Sequence, residues 1–473
     1  MLANKVGQET FLKGVSIYLK AHLYSNAKTP DLWRGISEAS GEDVASFMLN
    51  WTQKIGFPVI TVEETSEGLK VRQNRFLATA DPTPEEDEVI WQVPLELLTV
   101  KKDGKVEVEH SVVLSTRESV IPFDDVANTT YKLNADTCGV YRTLYPVSRL
   151  AKLGDEAGKS SSAFTLQDRM GLVQDSFVLA SSGYSKTSGA LTLISKMSGE
   201  KENLVWDEIS SALSKLAATW WDQEEEVREG ISKFRRTLFG PVADRLGFEY
   251  KASDDVDTIE LRTTSIATAA VCGDEATLKE YKIRFGKLLN DNDESGIPSD
   301  LRSSIYSQSV KYGGEKEYLK VLEIYRDPPT PSHKGACMAA LCATRDPVLL
   351  KRTFDFVLSD EVKNQDLSSF FSGLATNPLA KRDMWAFFKT NYDEITTRFK
   401  GNFSIGSLVK LSFMTFSTVE DANDVEAFFK EKDTSAYSQP LSQGLDSVRS
   451  KASWLSKDAE DVKAWLKENK YIV

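Results

Sequence analysis

Histidine limits the chemistry open to this chain, because its 473 residues include only three. His22, His110 and His333 are far apart, and none belongs to an H-E-x-x-H motif. A zinc hydrolase needs imidazole nitrogens around one ion and a carboxylate base beside it. A serine or cysteine nucleophile needs an ordered base, and the chain has no G-x-S-x-G motif. The sequence therefore predicts no catalytic residue and no metal ligand.

Histidines and cysteines are instead interpreted as parts of the fold. His22 ends an apolar helical stripe, and His110 falls on the apolar side of an alternating strand pattern, which predicts a packed core histidine. His333 follows a proline-rich turn and is predicted to be exposed. Cys337 and Cys342 lie in a helical stretch with no histidine between them, which predicts small buried hydrophobic residues. Four cysteines in the whole chain form no disulfide framework, and we expect a cytoplasmic location.

The charge balance disfavours polyanionic partners. The net charge is −12, which repels a phosphate backbone or an anionic lipid surface. The basic pairs Arg235-Arg236 and Lys381-Arg382 lack interleaved aromatic residues on a strand face. No run of 18 apolar residues occurs. We therefore expect no nucleic acid and no membrane as partners, whereas a basic or neutral peptide is electrostatically acceptable.

The elements that must position any site begin with helices over residues 1 to 56. Val44, Phe47, Met48 and Trp51 repeat at the i, i+3, i+4, i+7 spacing of an amphipathic helix. Ser40 with Asp43 three residues later predicts a capping box at the start of that helix.

From residue 57 to 146 the apolar period changes to two. Val89, Trp91, Val93, Leu95 and Leu97 fall on one side of a predicted strand. About six or seven short strands at this spacing predict a small antiparallel β-sandwich.

From residue 147 to 473 the helical period returns and strand signals almost disappear. Helix pairs recur at roughly 35 to 45 residues, the spacing of HEAT-like solenoids. The predicted fold class is therefore multidomain and mainly α, with a β-sandwich followed by a large HEAT/armadillo-like helical solenoid. Such solenoids have a concave inner face suited to binding.

Several segments, taken in order, carry a resemblance to a known family: ETFLKGVSIYLKAHLYSNAKTPDLW, FMLNWTQKIGFPVITV, NADTCGVYRTLYP, LQDRMGLVQDSFVLASSG, IYRDPPTPSHKGACMAALCATRDPVLLKR and VRSKASWLSKDAEDVKAWL. They resemble the C-terminal half of gluzincin zinc aminopeptidases of the puromycin-sensitive and fungal alanine/arginine type. The resemblance covers essentially the whole chain. It implies that residues 1–56 are the last helices of a thermolysin-like catalytic domain, followed by a sandwich over 57–146 and a solenoid over 147–473.

The resemblance also implies where chemistry is missing. In this family two histidines of H-E-x-x-H and a later glutamate hold zinc, a G-x-M-E-N segment grips the substrate amine, and a tyrosine stabilises the intermediate. All of these lie upstream of the matching segments. No catalytic or zinc residue can be assigned here, so zinc is expected only in the full-length family, and this chain is predicted to be inactive alone.

By the same resemblance, the helical domain encloses a cavity that admits and orients peptides. Arg449 is the single candidate for contacting a peptide carboxylate, because guanidinium can pair with one bidentately; a surface salt bridge is the alternative. Residues 1–56 would normally be covered by the catalytic domain, which predicts an exposed apolar patch that binds the missing N-terminal half or a second copy. The alternative function is a freestanding helical scaffold that binds proteins or peptides.

Overall fold

A computed structural model describes residues 1–80, 82–101 and 103–473, and within them helices dominate. They fold as two compact units, Met1–Glu208 and Ile209–Val473. The prediction of a mainly α, multidomain protein is confirmed. The finer division into domains at residues 56 and 146 stays a prediction. The first unit contains the predicted domains 1–56 and 57–146 together with the first helices of the predicted domain 147–473.

Four helices open the first unit: α1 Leu2–Val6, α2 Gln8–Ala21, α3 Thr29–Ser40 and α4 Val44–Gln53. Leu2, Ile36, Val44 and Phe47 form a small core among them. The predicted capping box at Ser40 is wrong. The Ser40 hydroxyl donates to the Ile36 carbonyl (2.8 Å) inside α3, and Asp43 instead caps α4 by accepting from the backbone N–H of Ser46 at 3.0 Å.

The described residues that follow form nine short strands: β1 Pro58–Thr65, β2 Gly68–Arg75, β3 Val93–Pro94, β4 Leu97–Val100, β5 Val106–Glu109, β6 Val113–Leu114, β7 Glu118–Pro122, β8 Thr130–Lys132 and β9 Arg142–Leu144. They form sheets of order β7-β2-β1-β9, β3-β6 and β5-β4-β8. The pairing is antiparallel except that β9 runs parallel to β1. The arrangement of these sheets as a sandwich stays a prediction.

Two expectations for this β-rich region are wrong. The alternating stretch from Val89 to Leu97 is not one strand, because Glu96 adopts a φ of 46° and separates β3 from β4, which belong to different sheets. His110 is not a core residue, since its side chain is 67% exposed. The strand before it, β5, is an outer strand of its sheet, and from there the His110 Nδ1 contacts the carboxylate of the buried Glu96.

Four helices continue from the strands: α5 Val147–Ala157, α6 Leu166–Ser182, α7 Thr187–Ser195 and α8 Asn203–Thr219. The fully buried carboxylate of Asp168 in α6 joins this helix to the β-rich region. Its Oδ1 lies 2.8 Å from the Lys132 Nζ and accepts the backbone N–H of Asp136 at 2.8 Å. Gly171, one turn later, allows close approach, because a Cβ there would lie 2.2 Å from the Thr137 Oγ1.

The second unit contains thirteen further helices among its described residues: α9 Glu225–Leu246, α10 Val256–Val271, α11 Glu275–Asp291, α12 Arg302–Tyr312, α13 Glu315–Arg326, α14 Pro331–Cys342, α15 Pro347–Val357, α16 Leu367–Thr376, α17 Lys381–Thr390, α18 Tyr392–Arg398, α19 Ser404–Leu411, α20 Val419–Phe429 and α21 Ser438–Glu468. Cys337 and Cys342 are buried in α14, as predicted. The HEAT-like assignment itself stays a prediction.

Seven of these helices pack in a closed circuit. The order of neighbours is α9, α10, α12, α14, α16, α19 and α21, and α21 returns to α9. Phe234 of α9 lies edge-on to Trp465 of α21, with ring centroids 4.9 Å apart. The Lys463 Nζ lies 2.7 Å from the Glu224 Oε2 just before α9. Helices α11, α13, α15, α17 and α20 pack against members of the circuit as a second layer.

Replacing Asp168 with alanine should destabilise the first unit by about 3–5 kcal/mol, because the buried ammonium of Lys132 loses its counter-charge. Urea unfolding with hydrogen-exchange mass spectrometry over residues 130–182 measures this loss. The matched control is Asp155→Ala, which removes an exposed ion pair with Lys196 and should cost only about 0–1 kcal/mol. Equal effects of the two substitutions would contradict the assignment.

Candidate functional site

The second unit gathers lysines around buried tryptophans at one place, which we name the lysine–tryptophan cluster. Its members come from the end of α8, the start of α17, and helices α19 and α21. They are Lys215, Trp220, Trp221, Lys381, Lys410, Lys451 and Trp454. The concentration of positive charge is unexpected in a chain whose net charge is −12.

Three indole rings form the apolar part of the cluster. Trp220 and Trp454 are almost fully buried and meet edge to face, with centroids 4.9 Å apart and planes at 77°. This is a favoured geometry for aromatic pairs. The Nε1 atoms of Trp220 and Trp221 are buried and have no hydrogen-bond acceptor among the described residues. Their N–H groups therefore add positive partial charge to that of the lysines.

Lys381 is the most deeply buried lysine of the cluster, with 3% of its surface exposed. Its Nζ lies 4.6 Å from the centroid of the Trp221 ring. Burial, together with the neighbouring ammonium of Lys451, lowers the pKa of Lys381 to about 7. The carboxylate of Asp222 opposes this shift, but it forms its ion pair with Arg382, 2.6 Å from the Nη2 atom.

Lys451 lies in the same electrostatic environment. Burial lowers its pKa to about 8, and the ammonium groups of Lys215 and Lys410 add to the shift. Its Nζ donates to two neutral oxygens, the carbonyl of Met414 and, at 3.1 Å, the hydroxyl of Ser447. An incoming anion would stabilise the charged form of each lysine, which makes the cluster a candidate anion site.

Arg449, the predicted peptide contact, lies elsewhere on α21. Its guanidinium is half exposed and pairs with the carboxylate of Glu426 in α20. Lys451 lies two positions further along α21, which places the two side chains about 200° apart around the helix. The structure therefore shows the surface ion pair that was the alternative, and the peptide-binding role of Arg449 stays a prediction.

The histidines do not assemble a metal site. His22 lies 3.8 Å from Asp31, His110 contacts Glu96, and the His333 Nε2 lies 2.9 Å from the Glu294 Oε2. Within residues 1–80, 82–101 and 103–473 no group of three or more histidine, cysteine, aspartate or glutamate side chains could hold an ion. The described residues therefore do not fit the zinc that the resemblance implies for the full-length family.

His333 is buried, so the prediction that it is exposed is wrong. Its Nδ1 lies 2.8 Å from the hydroxyl of Thr330, which caps α14, and its Nε2 faces Glu294. Burial opposes ionisation of Glu294, but hydrogen bonds from Arg302 and His333 outweigh it and hold the pKa of Glu294 below its ordinary value. These contacts join α14 to the loop after α11. Thr330 caps α14, and His333 holds the carboxylate of Glu294, so all three residues have a structural role.

Comparison with known proteins decides the family. Residues 130–450 match the model of the ERAP1-like C-terminal domain, and residues 1–51 match the Peptidase family M1 domain. The chain belongs to the ERAP1-like C-terminal domain family. It corresponds to the C-terminal half of family M1 aminopeptidases, as the resemblance predicted.

Several aminopeptidases align with this chain along nearly all of its length. Over the full length of this chain, the sequence is 37% identical to "Aminopeptidase 2, mitochondrial" of Saccharomyces cerevisiae, and the match covers 48% of the yeast protein. It is 33% identical to the "Alanine/arginine aminopeptidase" of the same yeast, covering 54% of it. It is 27% identical to the "Puromycin-sensitive aminopeptidase" of Caenorhabditis elegans over 99% of the chain, covering 50% of that protein. The chain thus spans about half the length of these relatives.

Most of the lysine–tryptophan cluster lies inside the matched region of the M1 C-terminal half, and Lys451 and Trp454 follow directly after it. Sequence reasoning noticed Lys381 only as part of a basic pair and missed Lys451. The adjacent tryptophans at 220 and 221 were the available signal. In the part of the chain that the structure describes, no helix combines the length and apolar character needed to cross a membrane.

Replacing Lys381 with methionine should raise the unfolding midpoint in urea at pH 7. The folded pKa is about 7 and the unfolded pKa about 10.4, so the unfolded state binds more protons between these values and stability rises with pH there. The gain from Lys381→Met should therefore shrink towards pH 10. Lys351→Met, at an exposed position, is the control and should leave the midpoint nearly unchanged. A pH-independent gain would show that the pKa of Lys381 is ordinary.

Proposed function

We propose that this chain is the non-catalytic, peptide-binding part of a zinc aminopeptidase that removes N-terminal residues from peptides. In this proposal the helical unit holds the peptide, and the lysine–tryptophan cluster binds its C-terminal carboxylate. The observation that carries the proposal is the pair of lysines, Lys381 and Lys451, whose pKa values are lowered to about 7 and about 8 beside buried indole rings.

Charge supports a single carboxylate as the ligand. A polyanion would be repelled by the net charge of −12, whereas one carboxylate needs only the local field of the cluster. The N–H groups of Trp220 and Trp221 offer donors of the type that carboxylate oxygens accept. The indole rings also provide apolar surface for the last side chain of a peptide.

Catalysis is proposed to reside outside this sequence. The chain has no H-E-x-x-H motif, and relatives named as aminopeptidases are about twice its length. Zinc and the catalytic groups then belong to the half that precedes these residues in the relatives. The four cysteines are unpaired, which supports a reducing compartment such as the cytoplasm, although one relative is named mitochondrial.

The helices at the start of the chain supply the proposed partner surface. Leu12, Leu19, Leu23, Leu49 and Ile55 are exposed, and residues 1–51 match the Peptidase family M1 domain. A domain of which these helices form a part would cover them. We therefore assign the remainder of the M1 catalytic domain as the occupant of this surface.

Calorimetric titration tests the carboxylate site. A nine-residue peptide without acidic side chains should bind at least about tenfold more tightly with a free C-terminus than as its amide. Because binding requires charged lysines, affinity should fall by more than about tenfold between pH 6.5 and pH 8.5. Lys381→Met and Lys451→Met should abolish the preference, and Arg449→Ala reports on the earlier candidate.

The matched control for this titration is Lys351→Met, which also removes one positive charge but at an exposed site. Equal binding of acid and amide peptides by the wild-type chain would sink the proposal. If only Arg449→Ala removed the preference for the free acid, the carboxylate would bind at Arg449, beside Glu426 of α20, and not at the lysine–tryptophan cluster.

Co-expression tests the partner surface. The preceding half, translated from the same reading frame, should co-purify with this chain, and only the complex should release amines from aminoacyl anilides. Leu19→Asp with Leu23→Asp should disrupt the complex by placing charges in the apolar contact. Val256→Asp, at an exposed apolar position in the second unit, should not. Zinc-dependent turnover by this chain alone would refute the assignment.

A further inference from the structure

We propose that a groove between α11 and α12 is a second ligand site, which takes a small uncharged aromatic compound carrying an amide. The groove encloses about 570 Å³, a volume in the range of small-molecule sites. Leu278, Tyr281, Phe285 and Leu289 line it from α11, and Gln308 and Ser309 line it from α12. The proposal is independent of the peptide-binding function and of the lysine–tryptophan cluster.

The apolar floor of the groove is held in place by contacts of its own. Tyr281 donates its hydroxyl hydrogen bond to Ser304 at 2.9 Å. The ring of Phe285 lies edge-on to that of Tyr306, with centroids 5.6 Å apart. Both floor residues are buried in the main core of the unit. The aromatic surface is therefore formed before any ligand arrives, which reduces the entropy cost of binding.

Two polar atoms of α12 lack partners. The Oε1 of Gln308 and the Oγ of Ser309 are buried and make no hydrogen bond to the described residues. The two side chains are 7% and 9% exposed, and both residues line the groove. A helical serine commonly donates to the carbonyl four residues earlier, but Ser309 makes no such bond. Buried polar groups are nearly always paired, and these two belong to residues that line the groove, so they are the atoms with which we propose that a ligand pairs.

The unpaired atoms define the chemistry of that ligand. Gln308 Oε1 accepts one hydrogen bond, and the adjacent Ser309 hydroxyl can donate one. An amide offers the matching N–H and C=O groups. The rim carries charges of both signs, from Lys279, Lys282 and Glu317, and Glu317 already accepts the backbone N–H of Gly314 at 2.8 Å. A neutral ligand therefore suits the groove better than a charged one.

Gly286 gives direct access to the groove for a test. A Cβ built there meets no atom within 4 Å, so a larger side chain would extend into open space without a clash. Gly286→Leu should fill the groove, and leucine also favours the helix over glycine. Gly335 in α14 has equally open surroundings, so Gly335→Leu is the matched control for the same chemical change outside the groove.

Ligand-observed NMR titration of the full chain with benzamide is the test. We expect a Kd on the order of 1 mM and at least tenfold weaker binding of N,N-dimethylbenzamide, which lacks the N–H donor. Gly286→Leu should abolish binding of both, and Gly335→Leu should leave both unchanged. Gln308→Met should remove the preference between the two compounds, because its side chain no longer accepts the N–H hydrogen bond.

Circular dichroism spectra of all variants check that each is folded, and the wild-type comparison of the two amides decides the proposal even if one variant is not. Absence of benzamide binding at 20 mM, roughly twentyfold above the expected Kd, would overturn it. Equal binding of the two amides, or benzamide binding retained by folded Gly286→Leu, would overturn it as well.

Discussion

The contact between Trp220 and Trp454 is the interaction on which the second unit depends. It joins the segment that follows α8 to the middle of α21, residues that are more than 200 positions apart. The same contact places the lysines of α21 beside those of α8 and α17. Burial is the largest cause of the lowered pKa of both Lys381 and Lys451. Burial of aromatic rings thus creates the electrostatic environment of the candidate site, since charges shift their pKa strongly only where water is excluded.

The first unit uses charge in the opposite way. Asp168 and Lys132 are buried as a pair, and Asp175 likewise pairs with Arg142 at 2.8 Å and accepts the backbone N–H of Thr143 at 3.0 Å. Burial raises the pKa of Asp175 above its ordinary value, although these hydrogen bonds oppose the shift. Paired charges of this kind fix the position of one element against another. In the second unit, by contrast, burial lowers the pKa of Lys381 and Lys451, and neither forms an ion pair with a carboxylate of the described residues. These two lysines are the proposed ligand contacts.

The sequence predicted features that depend on residues close together along the chain, and it missed features that depend on contacts between distant residues. Apolar periodicity predicted the helical content and the change to strands near residue 57, because both are local properties. It failed where one residue changed the local geometry, as at Glu96, whose left-handed backbone breaks an alternating pattern. It also failed for His110 and His333, because each contacts a carboxylate outside its own element, Glu96 and Glu294 respectively. The lysine–tryptophan cluster was missed because its members are spread from residue 215 to residue 454, and no local pattern records that they meet.

The closed circuit of helices has a consequence for how the chain is made. Phe234 of α9 receives its cover from Trp465 of α21, and 231 residues of chain separate the two. At about 5–20 residues per second on the ribosome, Trp465 is made on the order of 10 to 50 seconds after Phe234. During that time the α21 side of α9 is uncovered. The apolar side of the first helix in the circuit is thus open to chaperones until α21 has been made.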